Sequence, residues 1–239
     1  VTPVTSAAPV LVACSHGTRD PAGQGDLERL RSSVLALRPG LEVLPAYVDV
    51  QPPAVGDVVS GLAADGRPAV VVPLLLSTGY HVRVDIATAV SSAAGRAVAA
   101  APLGPDGVLA RVLAERLAEV GTGPDDAVVL AAAGSGDSRA TSDVEEVARG
   151  LEQLLGTPVT PGYLSAAGPA VGEAVAEARR RGRRVSVASY LLARGQLYSR
   201  LLELDADRVA APLLPHPSVA ELVLRRYDAA AARREVSPA

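Results

Sequence analysis

The chain has 239 residues, 49% of them hydrophobic and 21% charged, with a formal net charge of −3. Such a chain is too apolar for disorder, long enough for one large domain or two small ones, and without the basic excess of a general nucleic-acid binder. The single cysteine, Cys14, excludes an internal disulfide and a four-cysteine metal cluster.

In chain order, Val10 to Cys14 is an apolar run of strand type. A helix beginning near Gly25 follows, with Asp26 as its charged start and Leu27, Leu30, Val34 and Leu37 at helical spacing. Strands are expected at Glu42 to Tyr47, Ala69 to Leu74 and Ala97 to Ala101, alternating with helices that begin near Pro53, Val82 and Pro105. Gly121 to Asp126 is rich in Gly, Pro and Asp and reads as a boundary. The layout then repeats, from Ala127 to Ala132 through to a last helix near Ser218 to Ala232. Arg179 to Arg181, with Arg183 and Arg184, falls where a helix should end, which suits the helix dipole. No run of about 18 apolar residues is present to span a membrane. Val1 to Pro9 lacks the charged start and apolar stretch of a signal peptide, so a cytoplasmic chain is expected.

The repetition extends to particular residues. Tyr47 and Pro53-Ala54-Val55-Gly56 recur 116 positions on as Tyr163 and Pro169-Ala170-Val171-Gly172, and Gly79 recurs as Gly195. An ordered series at one main offset indicates duplication. The expectation is two small α/β units with parallel sheets, residues 1–122 and 123–239.

In an open parallel sheet, ligands bind beyond the carboxyl ends of the strands where strand order reverses. With order 2-1-3-4, that crevice lies between the loops carrying Ser15-His16-Gly17 and Gly79-Tyr80-His81, with Asp49 at the end of strand two. Imidazole binds first-row divalent metals and accepts a proton near neutral pH. In the second copy the His16 position aligns with Gly134, Asp49 with Ser165 and His81 with Leu197, so all three groups are lost together. His216, between two prolines before the last helix, reads as a loop or cap residue. Asp85, four residues after His81, can orient it if that segment is helical. Gly134 to Ser138 sits where a phosphate loop would, without a G-x-G-x-x-G pattern or a P-loop Lys. These residues admit a metal-inserting enzyme, a non-catalytic metal carrier, or a nucleotide- or phosphate-binding module.

Ser15-His16-Gly17-Thr18-Arg19-Asp20-Pro21, followed by Pro73-Leu74-Leu75-Leu76-Ser77-Thr78-Gly79-Tyr80-His81-Val82-Arg83-Val84-Asp85-Ile86, resembles the sirohydrochlorin chelatases of the CbiX/SirB type, and the resemblance covers nearly the whole chain. It implies a class II chelatase fold and insertion of Co2+ or Fe2+ into sirohydrochlorin, for cobalamin or siroheme. The metal is then a substrate and no tightly bound cofactor is expected. Its active-site histidines match His16 and His81; the acidic residue, usually Glu in similar enzymes, matches Asp49, so these three are the expected metal ligands. The polycarboxylate substrate is expected to meet Ser15, Arg19, Ser77, Thr78, Gly79, Tyr80 and Arg83, and from the second copy Gly134 and Arg194. Arg139 and Arg200 lie on the same face. The two copies are expected to face each other across one cleft within a monomer.

Overall fold

A strand with parallel neighbours on both sides and helices on both faces has no polar side, and Val10–Ser15 (β1) is buried along its whole length. The computed structural model describes residues 8–77 and 80–236; of residues 80–83, 235 and 236 only the backbone is described. Val43–Tyr47 (β2) pairs with one edge of β1, and Ala69–Pro73 (β3) with the other. Ala97–Ala99 (β4) completes a parallel sheet of order β2-β1-β3-β4. The helices of this half are Pro21–Leu37 (α1), Val55–Ala64 (α2), Tyr80–Ser91 (α3) and Gly107–Glu119 (α4). The second half repeats the pattern with Ala127–Ala132 (β5), Ser138–Leu155 (α5), Val159–Tyr163 (β6), Val171–Arg180 (α6), Val185–Tyr190 (β7), Gln196–Leu202 (α7), Arg208–Val209 (β8) and Pro217–Val236 (α8). Its sheet has the matching order β6-β5-β7-β8.

The strands fall where the apolar runs place them, with β4 two residues shorter than expected. The first helix differs more. It starts at Pro21 rather than near Gly25, because Asp20 accepts a hydrogen bond from the Ala22 N–H at 2.8 Å and proline fits the first helical position. Asp26 is therefore not a charged helix start. It lies inside α1 and is fully buried.

Each half lends its final helix to the other. α4 packs on β7 and α5, whereas α8 packs on α1, β3 and β4, and the two exchanged helices touch. Leu109, Leu113 and Leu117 of α4 and Leu222 of α8 are buried in one continuous core. It also takes Leu11, Val70 and Val72 from the first sheet and Leu130 and Ala188 from the second. Each such leucine contributes about 2 kcal/mol. The outer faces are separate: Val12, Cys14 and Val71 pack with α2 and α3, and Val129, Val185 and Val187 with α6 and Leu201 of α7. Burial pushes the Cys14 thiol up to about 12, with the Asp85 charge adding to the shift, as befits a small core residue.

Polar ties reinforce the exchange. Arg226 of α8 donates to the carbonyls of Pro102 and Leu103 and pairs with Asp106, and Arg38, just after α1, pairs with Asp228 of α8. His216 behaves as the cap residue expected: its Nε2 lies 2.9 Å from a Glu115 oxygen, and its Nδ1 accepts from the Ser218 N–H at 3.3 Å. Arg179 and Arg180 occupy the last turn of α6, as expected for a basic helix end. Among the described residues no helix is long and apolar enough to cross a membrane.

Candidate active site

The exchange of helices holds the carboxyl edges of both sheets against one cavity of about 900 Å³. On the first wall, β1 runs into His16, which is exposed. Two backbone bonds continue the pairing of β1 and β2 past the strands: Val48 N–H to Ser15 C=O and Asp49 N–H to His16 C=O, each 3.0 Å. Gly17 makes this approach possible. Its φ is +100°, and a Cβ there would fall on the Asp49 carbonyl oxygen. Beyond it, Thr18 N–H donates to Gln51 Oε1 at 2.8 Å, and the Thr18 hydroxyl accepts from Asp20 N–H at 3.1 Å. The His16 loop is thus held on both sides.

Asp49 is exposed, and its Oδ1 accepts from Val50 N–H at 2.7 Å. Val50 lines the cavity, Asp49 does not. Val50 has φ +70°, an uncommon conformation for a β-branched side chain, so this turn is strained next to the site. Of the other expected site residues on this wall, Ser15, Arg19 and Ser77 line the cavity. Arg19 is exposed and takes part in no ion pair among the described residues. Thr78 and Gly79 lie outside the described residues, as do the side chains of Tyr80, His81 and Arg83. The backbone places His81 in the first turn of α3, so Asp85 stands one helical turn on. Among the described residues no three His, Cys, Asp or Glu side chains form a metal-holding group; His16 and Asp49 are the two candidates there, on hydrogen-bonded loops.

The second wall is a copy of the loop without its chemistry. β5 ends at Ala132, paired with Tyr163 as Ser15 is paired with Tyr47. The residue matching His16 is therefore Ala133. Gly134, expected there from the sequence, instead matches Gly17: its φ is +89°, and a Cβ would fall on the Ser165 carbonyl oxygen. Ser135 and Asp137 reproduce Thr18 and Asp20, with Asp137 N–H donating to Ser135 Oγ at 3.1 Å and Arg139 N–H to Asp137 Oδ1 at 3.0 Å. The Asp137 and Arg139 N–H groups are thus already bonded within the loop.

Arg194 also lines the cavity, with its guanidinium committed to the first half. Its Nε and Nη2 donate to Asp26 at 2.9 and 2.8 Å, and its backbone N–H at 3.0 Å. Burial alone would raise the Asp26 carboxyl; the Arg194 bonds, with help from Arg29, outweigh it and hold the group below its usual range. Gly23 closes the contact, since a Cβ there would fall on the Arg194 carbonyl oxygen. Arg139 pairs with Asp137, and Arg200 donates to the Leu164 carbonyl at 3.0 Å. Tyr163, Tyr190 and Tyr198 line the same wall, and burial raises each hydroxyl, so all three stay neutral.

Sequence pattern alone does not assign Asp26 or Tyr190 to this site. Asp26 had a signal: it stands four residues before Leu30 and one before Leu27, on an apolar stripe where a carboxylate needs a buried partner.

The family model that describes CbiX matches residues 10–120 and again 127–230. The chain belongs to the CbiX family. Both halves match it, so duplication and family membership coincide. Among solved structures, SirB from Bacillus subtilis with Fe3+ has a TM-score of 0.82 at 23% identity, over 96% of this chain and 98% of that one. The sirohydrochlorin chelatase SirB from Bacillus subtilis subspecies spizizenii in complex with cobalt has a TM-score of 0.79 at 22% identity, with the same coverage. CbiX described as the terminal enzyme for siroheme biosynthesis in denitrifying bacteria has a TM-score of 0.67 at 23% identity, over 92% of this chain and 98% of that one. At these identities the likeness is one of fold, and it spans both lobes. No curated protein sequence matches the chain.

Proposed function

We propose that this CbiX-family chain inserts a divalent metal, Co2+ or Fe2+, into sirohydrochlorin, serving cobalamin or siroheme formation. One observation carries the reading: a single cavity of about 900 Å³ has His16 on one wall and, at the matching loop of the other, Ala133 with its glycine cradle intact. A flat macrocycle needs two walls, but metal need approach from only one. The matching fold of SirB, solved with Fe3+ and with cobalt, supports the same reading.

In this reading His16 and His81 hold the incoming metal through neutral imidazole nitrogens, and Asp49, on the loop bonded to that of His16 but outside the cavity lining, assists from its rim. The ring nitrogens replace these ligands one by one. The two pyrrole protons leave as the metal enters, and the imidazoles released from the metal accept them. The neutral tyrosines of the second wall add no negative charge against a polycarboxylate. Arg19, without an ion pair among the described residues, meets a substrate carboxylate, and Arg83 is assigned the same role. Ser15, Ser77, Thr78, Gly79, Tyr80 and Gly134 border the ring, while Arg194 holds its loop through Asp26. One chain supplies both walls, so a monomer suffices.

The test is to mix the chain with sirohydrochlorin and Co2+ or Fe2+ and follow the absorbance of the macrocycle. Metallation well above the uncatalysed rate, lost in His16→Ala, is expected. Metal binding without tetrapyrrole binding would instead favour a carrier.

A further inference from the structure

Tyr190, the last residue of β7, matches Leu74 of the first half, 116 positions earlier. It is 2% exposed, and its hydroxyl donates to the Leu76 carbonyl at 2.7 Å. Leu76 lies between β3 and α3, five residues before His81. A residue of the second lobe therefore bonds the chain of the first just after β3.

The second half satisfies the equivalent carbonyl differently. There Leu214 N–H donates to Leu192 C=O at 2.9 Å and Leu213 N–H to Leu191 C=O at 3.0 Å. The first-half match of Leu214 is Gly104, and its N–H donates one residue earlier, to Leu75, at 3.1 Å. This shift leaves the Leu76 carbonyl to Tyr190. Gly104 is part of the device: a Cβ there would fall on both the Leu76 carbonyl oxygen and the Tyr190 hydroxyl, whereas Leu214 carries a full, buried side chain. Burial, with the charges of Asp143, Asp106 and Glu146 adding to it, pushes the Tyr190 hydroxyl far up, so it remains a donor. Leu76 is half-buried, and a carbonyl there that loses its donor costs at least what an average hydrogen bond contributes, so the bond holds Leu76 to the tyrosine.

We propose that Tyr190 is a positioning residue of the active site, its bond to Leu76 setting where the His81 segment stands relative to His16 and the opposite wall. The proposal rests on the chelatase reading above. Tyr190 acts through Leu76 and its ring stays in the wall, so its hydroxyl governs metal handling rather than tetrapyrrole binding.

The experiment compares Tyr190→Phe with wild type in the full chain. Co2+ is titrated and followed by the visible absorption of the bound ion, and kcat and KM are measured with sirohydrochlorin. The expected result is Co2+ binding weaker by about tenfold with an altered spectrum, kcat lower by about tenfold, and KM for sirohydrochlorin within about twofold. A purely structural tyrosine would lower Tm and leave the Co2+ spectrum and kcat in place, and that result would overturn the proposal. Should Tyr190→Phe fail to fold, Gly104→Ala, which drives a methyl between the same two groups, is read on the same measurements with the same two outcomes. A wild-type chain that neither binds Co2+ nor metallates the ring would overturn the chelatase reading and this proposal with it. A competent wild type beside an unchanged variant would overturn this proposal alone.

Discussion

The end of β1 and the end of β5 make the same loop twice. Both carry a glycine in the left-handed region whose missing Cβ admits the carbonyl of the neighbouring loop, Asp49 in one case and Ser165 in the other. Both then cap the next helix with an aspartate, Asp20 or Asp137. Around these shared features the lobes differ in side chains: His16 is matched by Ala133, Asp49 by Ser165 and His81 by Leu197. Backbone geometry is shared by both lobes, while the side chains that the proposed reaction would use are confined to the first. The second lobe therefore serves as an internal control for the first.

The sharpest way to break this comparison is to remove the chemistry. His16→Ala and His81→Ala are each expected to lower metal insertion by about a hundredfold or more, within the range for loss of a positioned proton acceptor or ligand, with unfolding midpoints unchanged. Ser165→Ala, at the counterpart of Asp49, is expected to leave the rate within about twofold. If it cost as much as the histidines, the lobes would not divide the labour as described.

The contact between lobes comes next. Asp26→Ala leaves Arg194 without its partner and is expected to cost about 3 kcal/mol, read by urea unfolding. The sign with pH follows from the lowered carboxyl. Its stabilisation is complete above the unfolded-state value of about 4 and is lost as pH falls through the still lower folded-state value. Wild type is thus expected to lose stability below about pH 4, and Asp26→Asn to flatten that part of the profile. An unaltered acid limb in the variant would show that Asp26 does not carry it.

Gly17→Ala and Gly134→Ala sharpen the comparison from the other side. Each places a methyl on a backbone carbonyl at positive φ, and each is expected to cost about 2 kcal/mol by thermal unfolding. Similar costs in the two lobes are the expected mark of a shared scaffold; a cost in one lobe alone would mean the cradles are not equivalent.

Much of this was legible in the sequence because apolar runs and turn residues act locally. The eight-strand layout and the His16 loop follow from short-range pattern, whereas the 2-1-3-4 order enters only as a condition that the sheets then meet. The exchange of α4 and α8 does not, since an apolar helix carries no mark of which sheet it will cover. Residue identity places the His16 match one residue too far along because the offset between halves is 117 at the first strand and 116 at the second and third, a shift that strand register reveals. Asp26 reads as a helix start from sequence because its partner, Arg194, lies 168 positions away. Tyr190 is equally remote: its partner is a carbonyl, which no sequence displays.

The smallest expected effect is the most informative about symmetry. In a chain carrying His16→Ala and His81→Ala, adding Ala133→His, Ser165→Asp and Leu197→His moves the ligand set to the other wall. Gly134→His, the choice that the sequence alone favours, would place a side chain on the Ser165 carbonyl and is expected to destabilise the fold instead. The corrected set keeps both glycine cradles, so the histidine at 133 inherits the loop geometry of His16. Full recovery is not expected. The Leu192 carbonyl is held by Leu214 N–H, and the position across from it in the first lobe is Leu74, which has no hydroxyl. The transplanted site would lack the cross-lobe bond that Tyr190 supplies to the native one. A gain of about tenfold over the double-alanine background, well short of wild type, is therefore the expected rate in the sirohydrochlorin absorbance assay. No gain would confine the symmetry of the lobes to their backbones. Recovery to the wild-type rate would show that the bond from Tyr190 to Leu76 is dispensable for placing the ligands.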